Sequence, residues 1–152
     1  LGILSGMNNE TINESITKFV NGDMKKCNLV DIGMPTGIKG IKKYSIDGEP
    51  KKGCPIHVRA ALYYNKWIAD KISGRKIYES DHMKWAYIKR LPFGFPPTDV
   101  IAFNDENINK LEGLVIDYDK MINKLVYGKI ELIYEAINWS MPNRGVDVLS
   151  LF

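Results

Sequence analysis

The residues that most constrain the fold are 53–70, which have the sequence GCPIHVRAALYYNKWIAD. Proline suits the first turn of an α-helix, where its missing N–H has no partner to lose, so Pro55 indicates a helix that begins after Gly53. Apolar residues then recur at helical spacing and predict one buried face, formed by Val58, Ala61, Leu62, Ile68 and Ala69. Ser73-Gly74 predicts the end of this helix.

The segments on either side predict further helices and short strands. Helical spacing predicts a helix in residues 7–21, and the glycine- and proline-rich residues 30–50 predict an extended, turning segment. Strands are predicted at residues 76–80, 83–91 and 99–103. A last helix is predicted to begin near Asp117, with a buried face of Ile122, Leu125, Val126, Ile133, Ala136 and Ile137. Together these elements predict an α+β fold, with helices packed on a small antiparallel sheet.

Composition limits the class of protein. The chain has 152 residues, 45% of them hydrophobic and 26% charged, which is ordinary for a soluble globular domain. No apolar run approaches the roughly 20 residues of a membrane helix, so we expect no membrane partner. Two cysteines, Cys27 and Cys54, are too few for a disulfide framework, and we therefore expect an intracellular setting.

Positive charge is concentrated in one part of the chain. The net charge is only +3, but 13 of the 21 Lys and Arg residues lie between Lys39 and Arg90. Lys51 and Lys52 directly precede the predicted helix, whose N-terminal N–H groups attract anions.

One face of that helix is also basic. Arg59, Tyr63 and Lys66 are spaced i, i+4 and i+7, which places two cations and an aromatic ring together. This pattern indicates either a face that contacts nucleic-acid phosphates or a solvated charged face opposite the core.

Two patterns raise the question of a metal. Cys54 and His57 form half of a zinc motif, but the remaining Cys27 and His82 are not in a paired motif, so a buried cysteine and a hydrogen-bonded histidine are the preferred interpretation. Asp117-Tyr118-Asp119 could hold Mg²⁺ for a metal-dependent nucleic-acid enzyme if it lay on a strand. Because the two carboxylates open a predicted helix, capping is the preferred interpretation, and we expect no metal site.

Two adjoining runs carry a family resemblance. They are Lys43-Tyr44-Ser45-Ile46-Asp47-Gly48-Glu49-Pro50 and Lys51-Lys52-Gly53-Cys54-Pro55-Ile56-His57-Val58-Arg59. They resemble the Lys-Tyr, Gly-x-Pro and Cys-Pro-x-His-x-Arg pattern in the thumb of family B DNA polymerases from T-even-type bacteriophages. Further similar strings follow in the same order, namely Tyr64-Asn65, Leu91-Pro92-Phe93-Gly94, Asp99-Val100-Ile101-Ala102-Phe103 and Ile116-Asp117-Tyr118. The resemblance covers roughly residues 31–152.

The resemblance implies a DNA-gripping role. In that family the thumb wraps double-stranded primer–template DNA behind the active site and holds its backbone through basic residues. The positions that would face DNA, or support the loop that does, are Lys43, Tyr44, Lys51, Lys52, His57 and Arg59. Lys124 falls near a family lysine on the last thumb helix. The chain departs from the pattern at Gly53 and Gly128, where the family has lysines and this chain has Lys52 and Lys129 next to them.

The resemblance also implies what the chain lacks and which partners it has. The polymerase palm motifs are missing, so we expect no catalytic residue and no cofactor in this chain; Mg²⁺ would belong to the parent polymerase. Val148-Leu149-Ser150-Leu151-Phe152 resembles the family peptide that docks on a sliding clamp, through Leu149, Leu151 and Phe152. A palm domain, or a palm-containing subunit if the polymerase is split, would be the other partner, and the setting would be the cytoplasm of an infected bacterial host.

These expectations divide the chain into three segments. Residues 1–30 would form an N-terminal helical segment, either complete or incomplete. Residues 31–140 would form a thumb-like DNA-binding domain. Residues 141–152 would form a flexible tail that carries the clamp-binding peptide.

Overall fold

The structure is a computed structural model and describes residues 8–142. These residues belong to two compact units: Cys27–Tyr118 is one, and residues 8–26 together with 119–142 are the other. The predicted segments 1–30, 31–140 and 141–152 were defined by expected role, and their boundaries stay a prediction. Within the described residues, no helix is both long and apolar enough to cross a membrane.

The central unit contains a small antiparallel sheet and a separate hairpin. Its strands in chain order are β1 (Met34–Gly37), β2 (Ser45–Ile46), β3 (Glu49–Pro50), β4 (His82–Arg90), β5 (Val100–Phe103) and β6 (Val115–Ile116). The long strand β4 pairs antiparallel with β1, β5 and β6. Strands β2 and β3 pair only with each other.

Helices occupy both ends and the middle of the chain. In chain order they are α1 (Asn9–Asn21), α2 (Leu29–Ile32), α3 (Ile56–Tyr63), α4 (Tyr118–Ile122) and α5 (Gly128–Ala136). A π-helical segment, Tyr64–Ile68, continues α3, and a second one, Asn123–Tyr127, joins α4 to α5. The helices and the small antiparallel sheet confirm the predicted α+β class.

Helix α3 and its π-helical continuation bury the predicted face. Val58, Ala61, Leu62, Ile68 and Ala69 are all buried. They belong to the same core as Ala102 and Phe103 of β5, against which α3 packs. The regular helical segment ends earlier than predicted, at Ile68. Helix-type bonds continue through the following turns, from the Ile72 N–H to the Ile68 carbonyl and from the Gly74 N–H to the Ala69 carbonyl.

The predicted strand at residues 76–80 is wrong. The backbone of Ile77 pairs with a side chain and not with another strand: Asn65 Nδ2 donates to the Ile77 carbonyl at 2.7 Å, and Asn65 Oδ1 accepts from the Ile77 N–H at 2.7 Å. The side-chain amide of Asn65 thus satisfies both the N–H and the C=O of Ile77. Ile77 therefore forms no backbone bonds to a neighbouring strand, and the segment does not become part of the sheet. The strands predicted at residues 83–91 and 99–103 are confirmed as β4 and β5.

The predicted buried face of the last helix is wrong in its second half. Ile122 is buried and Leu125 and Val126 are half-buried, but Ile133, Ala136 and Ile137 are exposed. The π-helical segment Asn123–Tyr127 takes more residues per turn than an α-helix, so the face that points to the core shifts along the sequence after it. Tyr134 is the buried residue of α5 instead.

Candidate nucleic-acid interface

A two-residue turn fixes the hairpin of β2 and β3. Asp47 and Gly48 both have positive φ, 52° and 81°, the backbone sign of a type I′ turn, which suits the twist of paired strands. The register pairs Ser45 with Pro50 and Ile46 with Glu49. The pairing continues beyond the strands, because the Lys51 N–H donates to the Tyr44 carbonyl at 2.7 Å.

This register brings two basic segments together at the open end of the hairpin. The Lys51–Tyr44 bond brings these two residues side by side, and Lys42, Lys43 and Lys52 adjoin them in the chain. Residues directly opposite in an antiparallel pair have Cβ atoms about 5 Å apart. We call the segment around this pair the hairpin base; it contains Lys42, Lys43, Tyr44, Lys51 and Lys52.

A tight turn connects the hairpin base to helix α3. The Cys54 N–H donates to the Lys51 carbonyl at 3.1 Å, and Gly53 has a φ of 84°. Pro55 is the residue immediately before the helix and gives it no side-chain cap. The lysines thus lie within one turn of an uncapped helix N-terminus, whose N–H groups add to the positive potential.

The lysines of the hairpin base point into solvent. Lys42, Lys43, Lys51 and Lys52 are all exposed, and none of them forms an ion pair within residues 8–142. Lys43 Nζ lies 5.2 Å from the centroid of the half-buried Tyr44 ring, a cation–π contact that leaves the charge in place. Like charges held side by side repel each other, so this surface favours an anionic partner.

The predicted basic face of helix α3 is different, since each of its members has a partner within the protein. Arg59 forms an ion pair with Asp99 at 2.8 Å, and Lys66 forms one with Glu49. The Tyr63 hydroxyl donates to the Pro96 carbonyl, and burial raises the pKa of Tyr63 to about 12. The structure places these three residues beside the hairpin and the 91–99 loop, with both cations already neutralised.

The remaining predicted DNA-binding residues are scattered. His57 is half-buried in the first turn of α3. Lys124 is exposed in the π-helical segment Asn123–Tyr127, in the other compact unit. The predicted clamp-binding residues Leu149, Leu151 and Phe152 lie outside the described residues. Sequence reasoning left out Lys42, whose only signal was its position next to Lys43.

The residues of the two possible metal patterns lie in different surroundings. Burial raises the pKa of the Cys54 thiol, and the charge of Arg59 partly offsets this shift. Asp117 is nearly buried and its N–H donates to the Tyr87 carbonyl, whereas Asp119 is exposed. In the described part of the chain, no group of three or more His, Cys, Asp or Glu residues could hold a metal ion.

Comparison with known proteins does not assign a family. No protein-family model matches the chain, and no curated protein sequence matches it at a significant level.

Proposed function

We propose that this chain is the C-terminal thumb part of a DNA-directed DNA polymerase, and that it grips double-stranded primer–template DNA through phosphate contacts. The observation that carries the proposal is the hairpin base, where Lys42, Lys43, Lys51 and Lys52 are exposed and have no acidic partner among residues 8–142. The resemblance to family B polymerases gives this phosphate-binding surface its place in a larger enzyme.

Flexible lysines suit a grip that must ignore sequence. Double-stranded DNA carries one negative charge per about 1.7 Å of axis, and lysine binds phosphate as a point charge without reading base edges. A thumb has to hold every sequence that the polymerase copies, so phosphate contacts without base contacts match that task. The chain would contribute binding and no catalytic residue, and the Mg²⁺ chemistry of nucleotide addition would take place in the palm.

A second observation supports a palm partner. On helix α5 and just after it, Leu132, Ile133 and Ile137 are 71%, 56% and 39% exposed. Neighbouring large apolar residues at such exposure are typical of a surface that another protein covers. We assign this face to the palm, either of the same polymerase or of a separately encoded subunit. The sliding clamp would bind Leu149, Leu151 and Phe152, and the complex would work in the cytoplasm of an infected bacterial host.

The grip is tested by fluorescence anisotropy of a labelled primer–template duplex at several salt concentrations. Each phosphate neutralised contributes about −0.9 to the slope of log affinity against log salt. Four contacts therefore predict a slope of about −3.6, and Lys51→Ala/Lys52→Ala should reduce it to about −1.8. If the lost contacts are purely electrostatic, affinity at ~0.1 M salt should fall by about 60-fold.

An adjacent pair of lysines elsewhere provides a matched control. Lys25 and Lys26 are exposed, and the variant Lys25→Ala/Lys26→Ala changes the net charge by the same amount. It should leave the slope nearly unchanged. Equal effects of the two double variants would show that net charge and not the hairpin base governs binding, and would overturn the proposal. A folded wild-type chain that does not bind duplex at low salt would overturn it as well.

A further inference from the structure

The loop between β4 and β5 carries a fully exposed aromatic side chain, Phe93. Phe93 has a relative exposure of 106%, so its ring contacts almost nothing in the protein. It lies in Leu91-Pro92-Phe93-Gly94, a motif that carries part of the polymerase resemblance but has no role in the phosphate grip. Large aromatic side chains at rigid, protruding positions are typical anchors for a binding partner.

The loop that carries Phe93 is held by its neighbours. The Tyr63 hydroxyl donates to the Pro96 carbonyl, and the Ile88 N–H donates to the Asp99 carbonyl at 2.9 Å. Pro92, Pro96 and Pro97 fix their own φ angles, which further narrows the conformations of the loop. These restraints reduce the backbone conformational entropy that the loop would lose on binding a partner.

Positive charge adjoins the ring. Lys89 and Arg90 end strand β4, are exposed, and form no ion pair within the described part of the chain. The Asp99 carboxylate at the other end of the loop is paired with Arg59. The chain from Lys89 to Phe93 can span at most about 14 Å. Two cations and a bare aromatic ring thus lie within a few nucleotide spacings of each other.

We propose that Phe93 stacks on an unpaired base of the bound nucleic acid while Lys89 and Arg90 hold the neighbouring phosphates. Every base offers a flat face for stacking, so this contact is compatible with a grip that ignores sequence. Base faces inside a closed duplex are covered by their neighbours, so the contact requires a duplex end or a single-stranded extension. The inference rests on the proposed function, because it presupposes that the chain binds DNA.

A single ring beside two cations fits nucleic acid better than a membrane surface. Amphipathic membrane segments bury a broad apolar face, whereas Leu91 and Phe95 on either side of Phe93 are already half-buried in the protein. Anionic vesicles are nevertheless a useful competing probe, since they too would attract an aromatic ring flanked by cations.

The test compares two DNA probes with the full 152-residue chain. One is a dumbbell duplex with closed ends, and the other is the same duplex with a short overhang that contains 2-aminopurine. Phe93→Ala should weaken binding to the overhang probe by roughly 5- to 150-fold, the range typical of losing one base–aromatic stack. It should leave dumbbell binding and both salt slopes unchanged, because no charge is removed. Phe93→Trp should preserve affinity and quench the 2-aminopurine fluorescence.

Controls separate this inference from the proposed function. Tyr78 is another exposed aromatic residue beside a cation, with Arg75 5.9 Å from its ring centroid, and Tyr78→Ala should not change overhang binding. If Lys51→Ala/Lys52→Ala weakens duplex binding while Phe93→Ala affects neither probe, the grip stands and the stacking inference is overturned. Equal losses on both probes, or a loss confined to phosphatidylserine vesicles, would also overturn it. A wild-type chain that binds neither probe would overturn both proposals.

Discussion

Replacing Asp99 with asparagine should strengthen DNA binding, because this carboxylate neutralises a cation beside the proposed grip. Arg59 Nη1 lies 2.8 Å from Asp99 Oδ1, and the two side chains are 36% and 49% exposed. Asparagine keeps the shape of the side chain and an oxygen acceptor but loses the negative charge. The Asp99 backbone bond to the Ile88 N–H is not altered by the substitution.

The magnitudes follow from the exposure of this pair. Exposed ion pairs contribute about 0–1 kcal/mol to stability, so the Asp99→Asn variant should stay folded. If the released Arg59 contacts one phosphate, the slope of log affinity against log salt should steepen by about 0.9. A purely electrostatic contact of this kind strengthens binding at ~0.1 M salt by about 8-fold.

The assay is the same anisotropy titration, with two controls that separate local from global charge. Asp70 is an exposed acid in the same compact unit and forms no ion pair within residues 8–142, so Asp70→Asn changes the net charge equally without releasing a cation. Asp99→Asn/Arg59→Gln should lose the gain. An equal gain from Asp70→Asn, or a gain that persists in the double variant, would refute a phosphate contact by Arg59.

Two further predictions concern the scaffold of the site. Asn65→Ala should lower the free energy of unfolding, measured by urea denaturation, by roughly 2–4 kcal/mol, because it leaves the buried N–H and C=O of Ile77 without their bonds. The control is Asn109→Ala at an exposed position. A loss of stability in Asn65→Ala no larger than in this control would contradict the account. Burial raises the pKa of Tyr63 from 10.0 to about 12, so its contribution to stability is fully present below pH 10 and is lost as the pH rises through 12. The wild-type free energy of unfolding should therefore fall more steeply over that interval than that of Tyr63→Phe, and parallel curves would exclude the shift.

The sequence predicted the parts of the fold in which the spacing of apolar residues corresponds directly to the buried face. Val58, Ala61 and Leu62 are buried on helix α3, and the strands predicted at residues 83–91 and 99–103 are β4 and β5, which pack on that helix. The predicted strand at residues 76–80 fails because the bonding of its backbone depends on Asn65, twelve residues earlier than Ile77. Propensity within a short window carries no information about such a side-chain partner.

The last helix illustrates a different limit. Its predicted face assumed one helical period throughout, and the π-helical segment Asn123–Tyr127, closed by the bond from the Gly128 N–H to the Asn123 carbonyl, changes that period. Ile133 and Ile137 therefore point to solvent, and Tyr134 is buried. Apolar spacing on a helix indicates a face that is covered, but the surface that covers it can belong to another protein.

The sequence predicted which types of residue form the candidate site better than it predicted their contacts. Spacing predicted one helix face with Arg59, Tyr63 and Lys66, but it could not show that Asp99 and Glu49 would form ion pairs with the two cations. Those acids come from distant parts of the chain and meet the helix only through tertiary packing. The lysines of the hairpin base, by contrast, form no ion pair within residues 8–142. The register of this hairpin is set by the Asp47-Gly48 turn and not by any pattern in its two-residue strands.

The turn between the hairpin and helix α3 accounts for the departure at Gly53. The polymerase resemblance expects a lysine at this position, whereas the chain has its lysine one place earlier, at Lys52. Gly53 has a φ of 84°, in a region that residues with a Cβ adopt only at a cost, so a lysine there would strain the turn that leads into α3. Lys52, by contrast, directly follows Lys51, whose N–H donates to the Tyr44 carbonyl at the end of the hairpin. The shift by one residue therefore keeps a positive charge at the hairpin base while the glycine keeps the turn, and the proposed grip needs no lysine at position 53.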